Sequence, residues 1–134
     1  MEINKVVVGP LETNCYILTI NNDCLVIDPG DDYNKIKQVI GDKKVIGVII
    51  THYHFDHVGA LNYFDKSLIL DKNNLEDKEY NIKGFNFEVI YTPGHKEDAV
   101  TIYFKKKILC LQVILYLKEL LVGWIYLVVV KLIC

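Results

Sequence analysis

The segment THYHFDH, residues 51–57, places three of the chain's four histidines and one aspartate within a single short stretch. It follows KKVIGVII, residues 43–50, an apolar run typical of a strand that is buried on both faces. His52 and His54 stand two apart, so on extended backbone their side chains project to the same side. They come at the carboxyl end of the predicted strand, where α/β sheets present ligands and catalytic groups. This stretch therefore predicts both an α/β fold and a functional site.

The remaining polar side chains of the cluster complete a set of possible metal ligands. Asp56 and His57 follow where the chain turns away from the predicted strand, and they are placed to serve a second, neighbouring centre. The fourth histidine, His95, stands in the loop TPGH. Imidazole nitrogens and carboxylate oxygens bind zinc at about 2.0 to 2.2 Å. Gly59 would let the backbone turn closely beside a metal. A hydrogen-bonded core histidine or an adventitious site is the alternative, but the order of the motifs favours a metal centre.

The segments around this cluster predict alternating strands and short helices. NCYILTI and CLVIDPG, separated by NND, indicate a hairpin. DDYNKIKQVIG has helical spacing, with Asp31 or Asp32 as the cap and Gly41 as the stop. GALNYF favours a short helix and SLIL, FNFEVIY and AVTIYF favour strands, whereas residues 71–81 are typical of a surface loop or a frayed helix. The pattern predicts a layered α/β architecture.

Composition narrows the classes of function. The chain has 134 residues and a formal net charge of −2, with no basic cluster that would indicate nucleic-acid binding. All 15 cationic residues are lysine, which suggests an AT-rich coding sequence. The four cysteines form no CxxC pair and no secretory signal is visible, so we expect a cytoplasmic protein with free thiols. Cys15 and Cys24 are expected to serve packing. Tyr53 and Phe55, which stand between the histidines, are expected to face away from the metals and fill the core.

These motifs resemble the metallo-β-lactamase superfamily and, within it, the glyoxalase II-like hydrolases. GPLETNCYIL resembles their opening hairpin, VIDPGDD a loop that supports the metal ligands, THYHFDHVGAL their signature and TPGH their next ligand. The resemblance covers roughly residues 3 to 107. It implies the N-terminal half of an αββα sandwich and a hydrolase in which a metal-activated water attacks a thioester or ester carbonyl.

The resemblance also implies a role for each residue of the site. His52, His54 and His95 would hold a first metal ion, and Asp56 and His57 would belong to a second. Asp56 would also orient the attacking water as the catalytic residue, while Asp28 would support the ligands from behind. Zinc is the implied metal, with iron or manganese as alternatives. The implied partner is a small acyl thioester, such as an acyl-glutathione, or an ester; no nucleic-acid partner is expected.

From residue 108 the chain departs from the family pattern. The family contributes a bridging Asp in a TGD turn and one further His, and neither appears here. Instead residues 108–134 are an apolar tail with one acidic residue. Three interpretations are open: a membrane helix, which would have to include Lys118 and Glu119 to reach about 18 to 20 residues; an apolar element that covers the sheet; or a frameshift product.

Back-translation favours the frameshift. If residues 110–114 are encoded as TGT TTA CAG GTG ATA, reading from the third base of the Cys110 codon gives Phe-Thr-Gly-Asp, the missing TGD turn. Further on, permitted codons give a Gly-Arg-x-Asp loop in the same shifted frame. Its Asp is independent of codon choice, because the Trp124 codon TGG followed by any Ile codon reads GAT in that frame. We therefore interpret residues 1–107 as a partial metallo-β-lactamase-like domain and residues 108–134 as out of frame.

Under this interpretation the second metal site is incomplete and activity is impaired. A non-catalytic metal-binding remnant, or a small membrane-associated protein anchored by residues 108–134, is the alternative function. Lactonases, sulfur dioxygenases and flavodiiron proteins are further branches of the superfamily. A nuclease would require a basic substrate face, which the sequence does not offer. The sequence leaves the oligomeric state open.

Overall fold

The computed structural model describes residues 1–94 and 96–104, together with strand backbone at residues 109–112 and 131–132. The chain divides into two compact units, the first comprising Met1–Asn74 and the second beginning at Leu75. Most of residues 108–134 lies outside the described residues, so the division into residues 1–107 and an out-of-frame tail stays a prediction.

The first unit is built on one five-stranded sheet. Neighbouring strands are consecutive in sequence, with antiparallel pairing in the first part of the sheet and parallel pairing in the second. The strands are β1 (Glu2–Val8), β2 (Thr13–Ile20), β3 (Asp23–Ile27), β4 (Lys44–Ile49) and β5 (Ile69–Leu70). The predicted hairpin of β2 and β3 is confirmed, and Ile20 pairs with Asp23 at its turn.

The connection between β3 and β4 contains the predicted helix, α1 (Tyr33–Ile40). Asp32 occupies the cap position, but its carboxylate accepts from the backbone N–H of Gly9 and from Lys35 Nζ instead of capping the helix. Gly41 ends the helix with a φ of 58°, a conformation that glycine adopts at little cost. Both boundaries agree with the sequence prediction.

The three parallel strands bring their carboxyl ends to one edge of the sheet. Ile27 pairs with Ile49, and Ile49 pairs with Leu70, so the residues that follow these strands are neighbours. Parallel strands joined by crossover connections necessarily end at the same edge. Asp28, Thr51 and Asp71 therefore emerge together, and all three are buried.

The core of the first unit lies between the sheet and its helices. Cys15, Ile17, Val26 and Val48 are fully buried in it, together with Ile36 of α1. Cys24 belongs to the same cluster, which confirms that Cys15 and Cys24 serve packing. Burying such aliphatic side chains contributes about 25 cal/mol per Å² of apolar area removed from water.

The second unit forms an antiparallel sheet whose strands again pair in sequence order. The strands are β6 (Glu79–Ile82), β7 (Phe85–Tyr91), β8 (Val100–Phe104), β9 (Leu109–Gln112) and β10 (Lys131–Leu132). The prediction of a loop or frayed helix at residues 71–81 is wrong at its end, because β6 begins at Glu79 and pairs with β7. Tyr80 stacks on Phe87 at 5.4 Å between ring centroids, which compensates for the polar character of this segment.

Three short helical turns lie between β4 and β5 and follow the signature residues toward the next strand. The single turn α2 (Phe55–Val58) falls within the histidine cluster, and 3-10 turns follow at Leu61–Tyr63 and Lys66–Leu68. Within the described residues, no helix combines the length and apolar character needed to cross a bilayer. The predicted mixed α/β class is confirmed.

Candidate metal centre

The histidine cluster lies on the connection that follows β4, at the carboxyl edge of the parallel strands. His52 and His57 are buried, and His54 and Asp56 are partly exposed. His54 has extended backbone and precedes α2, whose first turn contains Asp56. The sequence-predicted position at the end of a buried strand is confirmed.

Asp28 is the centre of a buried hydrogen-bond network beneath these histidines. Its Oδ1 accepts from the backbone N–H of Thr51 at 2.8 Å, and its Oδ2 accepts from the Thr51 hydroxyl at 2.6 Å. The same Oδ2 lies 3.0 Å from Nδ1 of His57. A buried carboxylate is tolerated only when such partners replace its lost hydration. Asp28 thus ties the end of β3 to both ends of the histidine cluster.

The network sets the tautomers of two imidazoles. Thr51 has one hydroxyl proton, which it donates to Asp28, so toward Nδ1 of His52 at 3.1 Å it acts as the acceptor. Nδ1 of His52 therefore carries the proton and its lone pair is on Nε2. Nδ1 of His57 likewise donates to Asp28. Both rings therefore present Nε2 as the basic nitrogen. A carboxylate behind a metal-binding histidine fixes the tautomer of the ring in this way.

The imidazole of His52 lies against those of His54 and His57. Ring centroids are 4.7 Å apart for His52 and His54 and 4.1 Å apart for His52 and His57. Nε2 of His57 lies 3.3 Å from Oδ2 of Asp56. Four nitrogen and oxygen donor groups are therefore gathered on one short loop.

Thr13 is a site residue that sequence reasoning missed. Its hydroxyl donates to Oδ2 of Asp56 at 2.8 Å, and it lies at the start of β2, next to the turn of the first hairpin. Its position immediately before NCYILTI gave no sign of this role, because Thr is common in strands. The bond fixes one carboxylate oxygen of Asp56 from outside the histidine loop.

Two glycines allow the loop after β3 and the histidine loop to meet backbone to backbone. A Cβ at Gly30 would lie 1.8 Å from the carbonyl oxygen of Asp56, and a Cβ at Gly59 would lie 2.2 Å from the carbonyl oxygen of Gly30. The prediction that Gly59 serves a close turn is refined, since the close approach that the structure shows is to Gly30. This contact places Asp56 beside Asp28 and its network.

The electrostatic surroundings of His57 favour its charged form. Burial alone would lower the pKa of His57, but the hydrogen bond that His57 donates to Asp28 and the negative charges of Asp28 and Asp56 more than offset it, so the pKa is raised. An imidazole between two carboxylates binds a cation strongly, whether that cation is a proton or a metal ion.

The donor set fits a metal ion in its chemistry and its support. Imidazoles with oriented tautomers and a carboxylate are the ligands that zinc, iron and manganese share. Within residues 1–94 and 96–104, no three histidine, cysteine or carboxylate side chains already stand in the arrangement of a bound ion. His95, the predicted third ligand of the first ion, lies outside the described residues.

The two aromatic residues between the proposed ligands, Tyr53 and Phe55, differ in burial. Tyr53 packs against the core cluster as predicted. The prediction that Phe55 also fills the core is wrong, because its side chain is 77% exposed. Phe55 opens the single turn α2, which presents its side chain to solvent instead of toward the sheet.

Comparison with known proteins agrees with the sequence motifs. Residues 8–72 match the sequence profile of the metallo-beta-lactamase superfamily. The chain is 30% identical over 140 residues to "Probable metallo-hydrolase YqgX" of Bacillus subtilis (strain 168), which covers 78% of this chain and 66% of that protein. It is 30% identical over 123 residues to the hydroxyacylglutathione hydrolase of Aeromonas hydrophila, covering 78% of this chain and 48% of that enzyme.

Comparison of structures gives the same fold. The crystal structure of the BLEG-1 B3 metallo-beta-lactamase superposes with a TM-score of 0.74 at 22% identity, covering 81% of this chain and 70% of that one. The chain therefore belongs to the metallo-beta-lactamase superfamily, and the predicted superfamily and fold are confirmed. It spans about two thirds of the Bacillus relative and about half of the Aeromonas enzyme.

Proposed function

We propose that this chain carries the histidine-loop half of the metal centre of a glyoxalase II-like hydrolase, which cleaves a small acyl thioester or ester. The observation that carries the proposal is the network of Asp28. This one buried carboxylate orients His57 directly, and it orients His52 through the Thr51 hydroxyl. Both rings are left with Nε2 as the basic nitrogen. A network of this kind has a physical purpose when the imidazoles hold a cation.

The residues divide into two ligand groups in this proposal. His52 and His54, joined by His95, hold the first ion, and Asp56 with His57 belongs to the second. Bound metal would supply Lewis-acid polarisation of the substrate carbonyl and would acidify a water molecule. Zinc is the proposed metal, and iron and manganese suit the same donors.

Asp56 has a second role in the proposed reaction. Thr13 and His57 both lie at its Oδ2, so the carboxylate is held in one orientation. A fixed carboxylate that accepts a hydrogen bond from the attacking water aligns that water with the carbonyl carbon. His57 is kept in place for this by Asp28.

The relatives support the choice of substrate class. The match to a hydroxyacylglutathione hydrolase favours a thioester of a small thiol carrier. We propose that the protein is cytoplasmic, acts on a small-molecule substrate and has no nucleic-acid partner. The formal charge of −2 gives no electrostatic attraction for a polyanion.

The test combines metal content with thioester hydrolysis. The purified chain is dialysed against zinc, its metal content is measured by mass spectrometry, and hydrolysis of an acyl-glutathione is followed through thiol release. We expect bound zinc that is lost in His52→Ala and retained in the control Asn86→Ala, an exposed position of the second unit.

The two readouts separate the candidate functions. Zinc binding together with thiol release above the His52→Ala background supports the hydrolase. Zinc binding without thiol release supports the non-catalytic metal-binding remnant, because the metal is then held without hydrolysis of the thioester. A chain that retains no zinc contradicts both.

A further inference from the structure

Asp71 is a second buried carboxylate beside the histidine loop. It follows β5 directly, while Thr51 and His52 follow the neighbouring strand β4. The backbone N–H of Ile50 donates to the carbonyl of Leu70 at 2.9 Å, so the two chains continue side by side beyond the paired strands. Asp71 therefore stands on the β5 side of the loop, as Asp28 stands on its β3 side.

The partner of Asp71 in the loop is Tyr53, which lies between His52 and His54. The Tyr53 hydroxyl donates a hydrogen bond to Oδ2 of Asp71. The ammonium group of Lys72 lies 5.4 Å from the centroid of the Tyr53 ring, on which it makes a cation–π contact. The phenol is thus held at its hydroxyl and at its face.

The carboxylate is itself held in place by its own turn. The backbone N–H of Asn73 donates to Oδ1 of Asp71 at 2.8 Å, and the N–H of Asp71 donates to Oδ1 of Asn74 at 2.8 Å. Asn74 Nδ2 then donates to the carbonyl of Ile69 at 2.8 Å. Asp71 is 6% exposed, so the carboxylate end of its bond to the partly exposed Tyr53 is shielded from water.

We infer that Asp71 and Tyr53 form a positioning pair that fixes the direction of the His52 and His54 imidazoles. The inference rests on the proposed function. Tyr53 shares one backbone segment with His52 and His54, and His54 has extended backbone. Anchoring the Tyr53 phenol therefore restrains the backbone from which both imidazoles project. Asp28 acts on His52 and His57, and the Asp71–Tyr53 pair adds a constraint at the segment between His52 and His54. Neither residue of the pair contacts substrate in this proposal.

The first experiment needs no metal. Chain labelled with carbon-13 in the histidine rings is compared with Tyr53→Phe and Asp71→Asn by nuclear magnetic resonance in chelator. We expect the His52 and His54 ring signals to shift and broaden in both variants. The control Tyr91→Phe removes a hydroxyl that donates to the carbonyl of Leu75 at 2.8 Å in the second unit, and it should leave these signals unchanged.

The second experiment measures zinc affinity by competition with a chromophoric chelator. Loss of a group that orients metal ligands typically costs 10- to 100-fold in affinity, so we expect about a tenfold weaker Kd in Tyr53→Phe. The double variant Tyr53→Phe/Asp71→Asn should be no weaker than the worse single variant, since both remove one bond. Tyr91→Phe should retain the original Kd.

Unchanged ring signals in Tyr53→Phe, with melting temperature lowered as in Tyr91→Phe, would overturn the positioning role and leave a structural bond only. Absence of zinc binding by the unsubstituted chain would instead defeat the proposed function. The ring signals still decide the positioning pair in that case, so the two failures are distinguishable.

Discussion

The hydroxyl of Thr13 donates to Oδ2 of Asp56 across 43 residues of sequence, at 2.8 Å. This bond joins the first hairpin of the chain to the loop that carries the proposed metal ligands. The carboxylate it fixes belongs to the residue with two proposed roles, as ligand and in orienting water. A hydrogen bond to a charged acceptor contributes about 1.5 to 3 kcal/mol.

Replacing Thr13 by valine tests this bond with almost no change in shape. We expect Thr13→Val to lower the free energy of unfolding by about 1 to 3 kcal/mol, because Asp56 loses the hydrogen bond from the Thr13 hydroxyl. The measurement is urea denaturation of the metal-free chain. Thr19→Val is the matched control in the same strand, since Thr19 Oγ1 is buried with no hydrogen-bond partner among the described residues. Equal losses in the two variants would contradict a specific role for Thr13.

Asp28→Asn tests the network beneath the imidazoles. Asp28 accepts three hydrogen bonds on its two oxygens, from Thr51 N–H, Thr51 Oγ1 and His57 Nδ1. The amide of Asn has only one accepting oxygen, so it cannot accept all three. We expect a loss of about 3 kcal/mol in stability and a zinc affinity about 10- to 100-fold weaker. Asp65→Asn, at an exposed 3-10 turn, provides the control. A variant that keeps both zinc affinity and stability would show that Asp28 does not orient the ligands.

Part of this site could be predicted from sequence because its motifs are local. The residue types and spacing of His52 and His54, and their place after an apolar strand, require no knowledge of distant contacts. Thr13 could not be predicted, since its role depends on how the first hairpin meets a loop far along the chain. Asp71 was hidden in a segment whose polar composition resembles a surface loop, and only the parallel pairing of β4 and β5 brings it to the site.

Gly30→Ala tests the close contact between the two loops. The added Cβ would lie 1.8 Å from the backbone oxygen of Asp56, an atom that cannot move without displacing the histidine loop. We expect a loss of more than about 3 kcal/mol in stability, within the range of severe overpacking. Gly47→Ala is the comparison, because the atom nearest to its Cβ would be the end of the Leu25 side chain, at 2.8 Å, and not a backbone atom. The measurement is the melting temperature, and similar small losses in both variants would contradict the close contact.

Tyr16→Phe tests a buried phenol on β2. Burial, joined by the negative charge of Asp28, raises the pKa of Tyr16 to about 12. A group with a raised folded pKa stabilises the protein fully below its unfolded pKa, here about 10, and this contribution is lost as the pH rises toward 12. We therefore expect the phenylalanine variant to lose less stability between about pH 10 and 12. Identical curves of unfolding free energy against pH would contradict a buried neutral phenol.

Sequencing of the gene across codons 100 to 140 from independent template tests the interpretation of the apolar segment. We expect one inserted or deleted base near the codons of residues 107–110, whose correction restores Phe-Thr-Gly-Asp in frame. The restored Asp would supply a carboxylate ligand that the second metal site otherwise lacks. The restored chain should then bind two zinc ions where the present chain binds fewer. A confirmed reading frame, or two tightly held zinc ions in the present chain, would contradict this interpretation. Residues 108–134 would then be interpreted as a membrane or packing element.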